Sequence, residues 1–422
     1  MSDAAVPRVS AAQAPPGPLL LAFSGGLDSS LLLHLLVEAG LGRRLRALHV
    51  NHQLQARSED WAAFCRTRAE ALGVPFEEIR VSVPADVNLE AGARAARYQA
   101  LTERAAGATV ITAHHRDDQA ETVLLNLLRG AGVQGLAAMS EHSWLNGLPL
   151  WRPLLAFGRV QLEREARRRG LEWVEDPSNA DISLRRNRLR HEILPRLAAT
   201  WPGAPAILAR TAGVMADAAA LLDERAAEDA RALAAARDRL PLEGLAALSR
   251  ERQDNVLRWW LDQAGAPPPS LAVTGQIHGL LRAPADREAS VTWAGHTLRR
   301  YRGDLYLLHD RDLRPLSGPL DWRQGHEPPD PGLWRLLPGE GEVTLWVPPG
   351  DVQLRPFAGG ERLRRHGQHQ QVSELWRVAG VPPWRRRQWP LLYQEGQLVS
   401  VPMIGVADGV DRRRCRPWQL RW

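Results

Sequence analysis

Ser24-Gly25-Gly26-Leu27-Asp28-Ser29 lies between the apolar run Leu19-Leu20-Leu21-Ala22-Phe23 and the stretch Leu31 to Val37, so a glycine-rich turn joins a buried strand to a helix. Two glycines let the backbone close on a ligand. The unpaired N–H groups and positive dipole end of the new helix favour phosphate there. Asp28 inside such a cradle repels a bare anion, which points to a cation arriving with the phosphate, most simply Mg2+ on a nucleotide. Competing phosphate motifs fail. A Walker A loop needs a lysine, and all 54 basic residues here are arginine. Gly130-Ala131-Gly132-Val133-Gln134-Gly135 matches the dinucleotide pattern, but it follows a helical stretch instead of a strand and reads as a decoy.

Residues 19 to about 138 alternate between strand and helix patterns. Strands are predicted at Leu19–Phe23, Leu45–Val50, Phe76–Val83 and Thr109–Ala113, with helices over 29–39, 58–72, 88–106 and 117–129. Such alternation predicts an α/β fold, a parallel sheet wound on both faces with ligands at the carboxyl ends of the strands. The polar residues fall just after strands: the loop at 24–29, His49-Val50-Asn51-His52, and Thr112 to Thr122. If a helix starts near Arg116, then Asp117 and Asp118 occupy its first turn and Glu121 follows at helical spacing, so all three carboxylates face one crevice. An acid at a helix N-terminus usually serves the dipole alone. Two adjacent acids, a third at helical spacing and the pair His114-His115 make a site the better account. No HExxH or Cys/His spacing supports a dedicated zinc site.

Composition bounds the rest. A chain of 422 residues holds two to four domains. Its apolar runs fall short of the roughly 20 residues of a membrane span, so no membrane partner is expected. The Ala/Pro-rich residues 1–17 read as a disordered tail without a signal-peptide core. Cys65 and Cys415 are too few and too far apart for a disulfide framework or a CxxC site, which makes the cytoplasm the default location. A net charge of +6 carried by arginine gives a surface suited to phosphate and makes a nucleic-acid partner more probable.

The hexapeptide at 24–29 resembles the pyrophosphate loop (PP-loop) of the N-type ATP pyrophosphatases, which split ATP between its α and β phosphates. Together with His49–His52, Ala93–Tyr98, His114–Thr122, Asn126–Leu136, Arg152-Pro153-Leu154-Leu155, Glu175–Asn179, Arg186–Arg190 and Pro195, it is similar to the tRNA(Ile)-lysidine synthase family. The similarity returns at Gly359–Arg362, Pro382-Pro383-Trp384 and Pro390-Leu391-Leu392, and so covers nearly the whole chain. The resemblance implies a two-step modification of cytidine 34 in a tRNA(Ile) with a CAU anticodon. The cytosine C2 oxygen attacks the α phosphate of ATP, and free L-lysine then displaces AMP through its ε-amine. By the same resemblance Ser24, Gly25, Gly26, Leu27, Asp28 and Ser29 hold ATP, Asp28 its Mg2+, and Arg94 the α phosphate. Asp118 and Glu121 hold the lysine ammonium, with His114 or Asp117 assisting. A homodimer is left open. Carboxylates alone would raise the amine pKa, so a nearby Arg or His, or desolvation, must oppose them.

The chain departs from the family pattern at Gln55 and at Leu375-Trp376-Arg377, where Arg and a Leu-Lys pair are usual. The expected organisation is a catalytic domain at 18–200, a mainly helical tRNA-binding connector at 201–312, a linker at 313–338 and a smaller α/β RNA-contacting domain at 339–422. Arg186, Arg188 and Arg190 are candidates for tRNA contact, with Trp173 as a stacking platform. Arg362, Arg364 and Arg365 are further candidates, interleaved with Trp376, Trp384 and Trp389, which fit base stacking or a core, with core the better reading for Trp384 after two prolines. The alternatives are a tRNA 2-thiolase, disfavoured because paired cysteines are absent, and an RNA-binding protein that holds a nucleotide without turnover.

Overall fold

Leu19, Leu20 and Leu21 occupy successive positions of β1 (Leu19–Ala22) and all three are buried, so this strand must be covered on both faces. The computed structural model describes residues 6–53, 57–81, 89–145, 147–283, 289–323 and 326–421, with backbone only at 89–91, 145, 311 and 312. After β1 come α1 (Leu27–Glu38), β2 (Leu45–Asn51), α2 (Ser58–Ala71), β3 (Phe76–Arg80), α3 (Leu89–Ala105), β4 (Thr109–Ile111), α4 (Arg116–Leu127), α5 (Val133–Leu136), β5 (His142–Leu145), β6 (Leu148–Trp151) and α6 (Arg159–Arg168). The sheet runs β3-β2-β1-β4-β6-β5, parallel except for the edge strand β5. Leu19, Leu21, Ala47, Ile111 and Trp151 pack with residues of α1, α2 and α6. The alternate set, Leu20, Leu48, Val110 and Leu150, packs with Leu101 and Ala105 of α3. This is the doubly wound sheet expected from the alternation.

The strand order changes direction between β1 and β4, so the crevice outside their carboxyl ends is the topological switch point. Leu54, Gln55 and the expected ends at 82, 83 and 88 lie outside the described residues. The hairpin β5–β6 went unforeseen because each strand has only four residues, too few to show a period. The residues read as a disordered tail are structured from residue 6 onward. Ser10 caps a short 3-10 turn at Ala11–Gln13, Val9 and Ala14 pack on the core, and Arg44 donates to the carbonyls of Pro15 and Gly17.

Beyond the sheet come α7 (Arg185–Arg188), a π-helical turn at Leu189–Ile193, α8 (Leu194–Thr200) and the long α9 (Ala204–Ala232). By length and composition α9 passes as a membrane span. Its second half, however, carries Asp223, Glu224, Arg225, Glu228, Asp229 and Arg231, and the buried Asp229 accepts two hydrogen bonds from Arg252 at 3.0 and 2.6 Å.

The chain forms two compact units, Met1–Leu221 and Leu222–Trp422. In the second, β7 (Arg239–Pro241), α10 (Leu242–Ala246), α11 (Arg250–Gln263), α12 (Leu271–Arg282), β8 (Ser290–Trp293), β9 (His296–Tyr301) and β10 (Asp304–His309) share a core around Trp260. The Gly265 to Ser270 stretch separates α11 from α12, where its prolines cannot continue a helix.

A β-rich body follows, with β11 (Leu320–Trp322), β12 (Arg335–Pro338), β13 (Thr344–Val347), β14 (Val352–Arg355), β15 (Arg362–Arg365), β16 (Gln368–Gln371), α13 (Val372–Val378), α14 (Pro383–Arg386), β17 (Leu391–Gln394), β18 (Gln397–Val401), β19 (Gly405–Val406) and β20 (Arg416–Arg421). The stretch read as a linker belongs to this body, because Leu316, Trp322, Trp334 and Leu336 are part of its core. Trp376 and Trp389 are buried in the same core, and Trp384 is buried edge-on to Tyr301 and Tyr306. None of the three presents a face for base stacking.

Candidate active site

Gly25 has φ +77°, and a Cβ there would stand 2.7 Å from the Cys65 sulfur. Both facts demand glycine. The Gly25 carbonyl accepts from Val174 N at 2.9 Å and from Ser30 Oγ at 3.2 Å, which pins the turn from two sides. Gly26 is the N-cap of α1 and has no side chain to cap it, so the first N–H groups of the helix stay available. Ser24 and Ser29 share a hydroxyl contact at 3.0 Å, and Ser29 also donates to the Gly26 carbonyl at 3.1 Å. Leu27 is buried and anchors the cradle to the core. Beneath it, burial pushes the Cys65 thiol up to about 12, so this cysteine is a packing residue and no nucleophile.

On the other side of the switch point α4 begins with a capping box. Asp118 Oδ2 accepts from His115 N at 2.9 Å, and Asp118 N approaches His115 Nδ1 at 3.4 Å. His115 then reaches across the crevice. Its Nε2 lies 3.4 Å from Asp118 Oδ2 and 3.8 Å from Asp28 Oδ2, while Nδ1 lies 3.7 Å from Asp117 Oδ2. The third wall is the start of α6. Arg159 pairs with Asp28 through its guanidinium and donates its backbone N–H to Asp117 Oδ2 at 2.8 Å. Just before it, a Cβ on Gly158 would meet the Arg116 guanidinium at 2.5 Å.

Asp28, His114, Asp117, Asp118 and Glu121 thus lie in one crevice with the cradle, but their surroundings differ from those expected. His114 Nδ1 pairs with Thr112 Oγ1 at 2.8 Å, and burial, reinforced by Arg186, Arg152 and Arg94, lowers its pKa to about 3. It is therefore neutral at physiological pH and a poor proton acceptor. Arg94 lies over the Tyr98 ring at 4.8 Å. Glu121 is wholly buried.

Arg186 and Arg190, expected to contact tRNA, turn inward. Arg186 donates to Glu121 Oε2 at 2.6 Å and Asp118 Oδ1 at 3.1 Å. Arg190 donates to Glu121 Oε1 at 2.6 Å, Glu121 Oε2 at 3.2 Å and Asp118 Oδ1 at 2.9 Å. Burial alone would raise the pKa of Asp118, but His115, Arg186, His114 and Arg190 hold it well below the usual carboxylate range. Arg188, between the two on the chain, stays exposed. Trp173 packs on the sheet core. Arg362 and Arg364 project from the exposed face of β15, and Arg365 lines a groove of about 670 Å³ with Leu375, Val378 and Met403, all in the second unit.

The sequence counted His115 only as one of a histidine pair, and it gave no sign of its bridging position, of Arg159 or of the inward role of Arg186 and Arg190. His115 carried a local signal, since it sits at the N-cap position before two acids. Arg159 carried none, because its partner Asp28 is 131 positions away.

The donor set fits a nucleotide-borne Mg2+. Asp28 Oδ1 is buried without a hydrogen-bond partner while its sister oxygen is held by Arg159, so one hard oxygen beside the cradle is left for a cation. Among the described residues no group of three or more His, Cys, Asp or Glu could hold a metal on its own.

Residues 6–197 match the family model of the PP-loop domain, 240–306 that of the TilS substrate binding domain and 352–422 that of the TilS substrate C-terminal domain. The chain is 42% identical to the tRNA(Ile)-lysidine synthase of Pseudomonas syringae pv. tomato over 95% of its length and 91% of the relative's. It is 40% identical to those of Pectobacterium atrosepticum, covering 96% and 94%, and Pseudomonas aeruginosa, covering 96% and 93%. The solved U34-tRNA thiolase NcsA from Methanococcus maripaludis aligns with 48% of this chain and 73% of its own at TM-score 0.41 and 18% identity.

Proposed function

The chain belongs to the tRNA(Ile)-lysidine synthase family, and we propose that the crevice between β1 and β4 joins L-lysine to C2 of cytidine 34 in tRNA(Ile) with a CAU anticodon, at the expense of ATP. The observation that carries this reading is a single wall of contacts, in which His115 stands between Asp28 of the cradle and Asp118 of the acidic helix at 3.8 and 3.4 Å. A phosphate cradle and a cation-binding pair thereby share one space.

The Gly26 end of α1 and the Ser24 and Ser29 hydroxyls hold the β and γ phosphates as they leave. Asp28 would hold the Mg2+, which supplies charge neutralisation between the phosphates when bound. The cytosine C2 oxygen attacks the α phosphorus as the bond to the bridging oxygen of pyrophosphate breaks. Arg94, exposed on α3, serves the α phosphate.

In the second step the lysine ε-nitrogen bonds to C2, the C2–O bond breaks, AMP leaves and the amine loses a proton. Free lysine has a pKa of about 10.4, so a neutral amine at pH 7 costs about 4.6 kcal/mol. Asp118 and Glu121 bind the ammonium, and the arginines beside them limit how far they raise that pKa. The reaction belongs in the cytoplasm, with the exposed arginines Arg188, Arg362 and Arg364 on tRNA phosphates.

The test is incubation with Mg·ATP, ¹⁴C-lysine and unmodified tRNA(Ile), scoring label in RNA and pyrophosphate release, with Asp118→Asn alongside. Label that depends on cytidine 34 and is lost in the variant is expected. Pyrophosphate without label would mean another nucleophile, and neither signal from folded protein would refute the reading.

A further inference from the structure

Every oxygen of the Asp118–Glu121 pair is already in use. Asp118 Oδ2 accepts from His115 N, Asp118 Oδ1 and Glu121 Oε2 each accept from both guanidinia, and Glu121 Oε1 accepts from Arg190. With Glu121 wholly buried beneath the two arginines, no third cation reaches it while both stay in place. The two guanidinia are not held alike. Arg186 sits on α7, whose Asn187 is tied to the carbonyls of Ser178 and Asp181 at 2.8 and 3.0 Å. Arg190 has the more exposed side chain, 35% against 22%, and stands on the π-helical turn, a rare backbone form frequent at functional sites. Through Asp118 and His115 it is also linked to Asp28 and the phosphate cradle.

We propose that Arg190 is an exchangeable counter-cation: it occupies the Asp118–Glu121 pair until phosphate in the cradle draws it away, and the lysine ammonium then takes its place. The exchange trades one cation for one cation, so the buried carboxylates are never left uncompensated. It also orders the reaction, because lysine finds its site only when a nucleotide is present. This rests on the lysine reading of the site given above. Arg190 acts here as a positioning residue, since it works through the carboxylates and the phosphate and touches neither reacting atom.

The experiment is calorimetric titration of L-lysine into the full chain, with and without Mg2+ and an ATP analogue carrying a methylene between the α and β phosphates. Reciprocal coupling of two ligands usually amounts to roughly 5–150-fold. In the wild type the analogue should tighten lysine at least about fivefold, within that range. Arg190→Gln should bind lysine without nucleotide about as tightly as the wild type does with it, and the nucleotide effect should vanish. Arg196→Gln, which alters an exposed arginine of α8, should keep the wild-type coupling.

If Arg190→Gln weakens lysine binding in the absence of nucleotide, or keeps the coupling, Arg190 is a fixed clamp and the proposal is overturned. If that variant does not fold, amide exchange at 186–193 in the wild type decides: faster exchange on adding the analogue is expected, and unchanged protection overturns the proposal. A wild type that binds lysine under neither condition overturns the lysine reading itself and this inference with it.

Discussion

Gly25→Ala should cost the first unit about 2–5 kcal/mol, from two separable sources. The residue sits at φ +77°, and the left-handed region costs an L-residue about 1–2 kcal/mol. The new methyl would stand 2.7 Å from the Cys65 sulfur, with Phe64 behind it at 3.5 Å. Cys65 is wholly buried and its sulfur is 3.6 Å from His49 Nδ1, so it has nowhere to swing. Overpacking of this kind costs about 1–3 kcal/mol.

The second source alone is relieved by Cys65→Ala. A double-mutant cycle should therefore show a favourable coupling of about 1–3 kcal/mol, well above the few tenths expected of independent sites. The assay is urea-dependent amide exchange read on peptides covering β1 and α1, which reports the first unit by itself. Additive effects, or a cost for Gly25→Ala below about 1 kcal/mol, would refute the claim that close packing under the cradle requires this glycine.

Asp28→Asn should abolish pyrophosphate release while tRNA binding persists, and chelation of Mg2+ should do the same reversibly. Retained release in either case would count against Asp28 as the metal-facing ligand. His114 and His52 have folded pKa values lowered to about 3 and about 4, so between those values and 6.5 the unfolded chain binds more protons than the folded one. Their contribution to stability is complete above pH 6.5 and is lost as pH falls towards 3. The urea midpoint of the first unit should drop from pH 7 to pH 5, and His114→Gln should flatten the drop. Trp376, buried in the C-terminal core against Phe357 and Trp389, should cost about 3–5 kcal/mol on replacement by alanine. Lysine ligation at a temperature where the protein stays folded should not carry the signature of a lost base-stacking contact.

What the sequence made legible was local. The strand–glycine–helix junction, the alternation around it and the acids at the start of α4 each occupy a short window, and the structure places them at the switch point where a doubly wound sheet binds its ligands. Partners far apart in sequence left no such trace. Arg186 and Arg190 read as a basic helix face, because the 65 and 69 positions to Glu121 conceal that they point at it. The tryptophans interleaved with arginines left stacking and core both open for a related reason. Composition alone does not separate an aromatic that stacks on a base from one that fills a small β-rich core, and Trp376 and Trp389 fill the core.

Retention of Arg186 matters as much as release of Arg190. If both guanidinia left, the lysine amine would face two carboxylates in a buried site, and each opposite charge within about 4–6 Å raises its pKa by about 1–3 units. With Arg186 still donating to Glu121 at 2.6 Å and Asp118 at 3.1 Å, the pair presents one net negative charge. That is enough to hold an ammonium without locking its proton in place. Arg186→Gln is therefore expected to separate binding from chemistry: lysine should bind more tightly, while transfer to the adenylated base slows by about 10- to 1000-fold at pH 7, following a pKa rise of about 1–3 units. The rising limb of the single-turnover pH profile for lysine transfer, set by loss of the amine proton, should move to higher pH by the same amount. Slower transfer with an unmoved profile would mean that Arg186 only supports the fold of the site, and the electrostatic role assigned to it would be wrong.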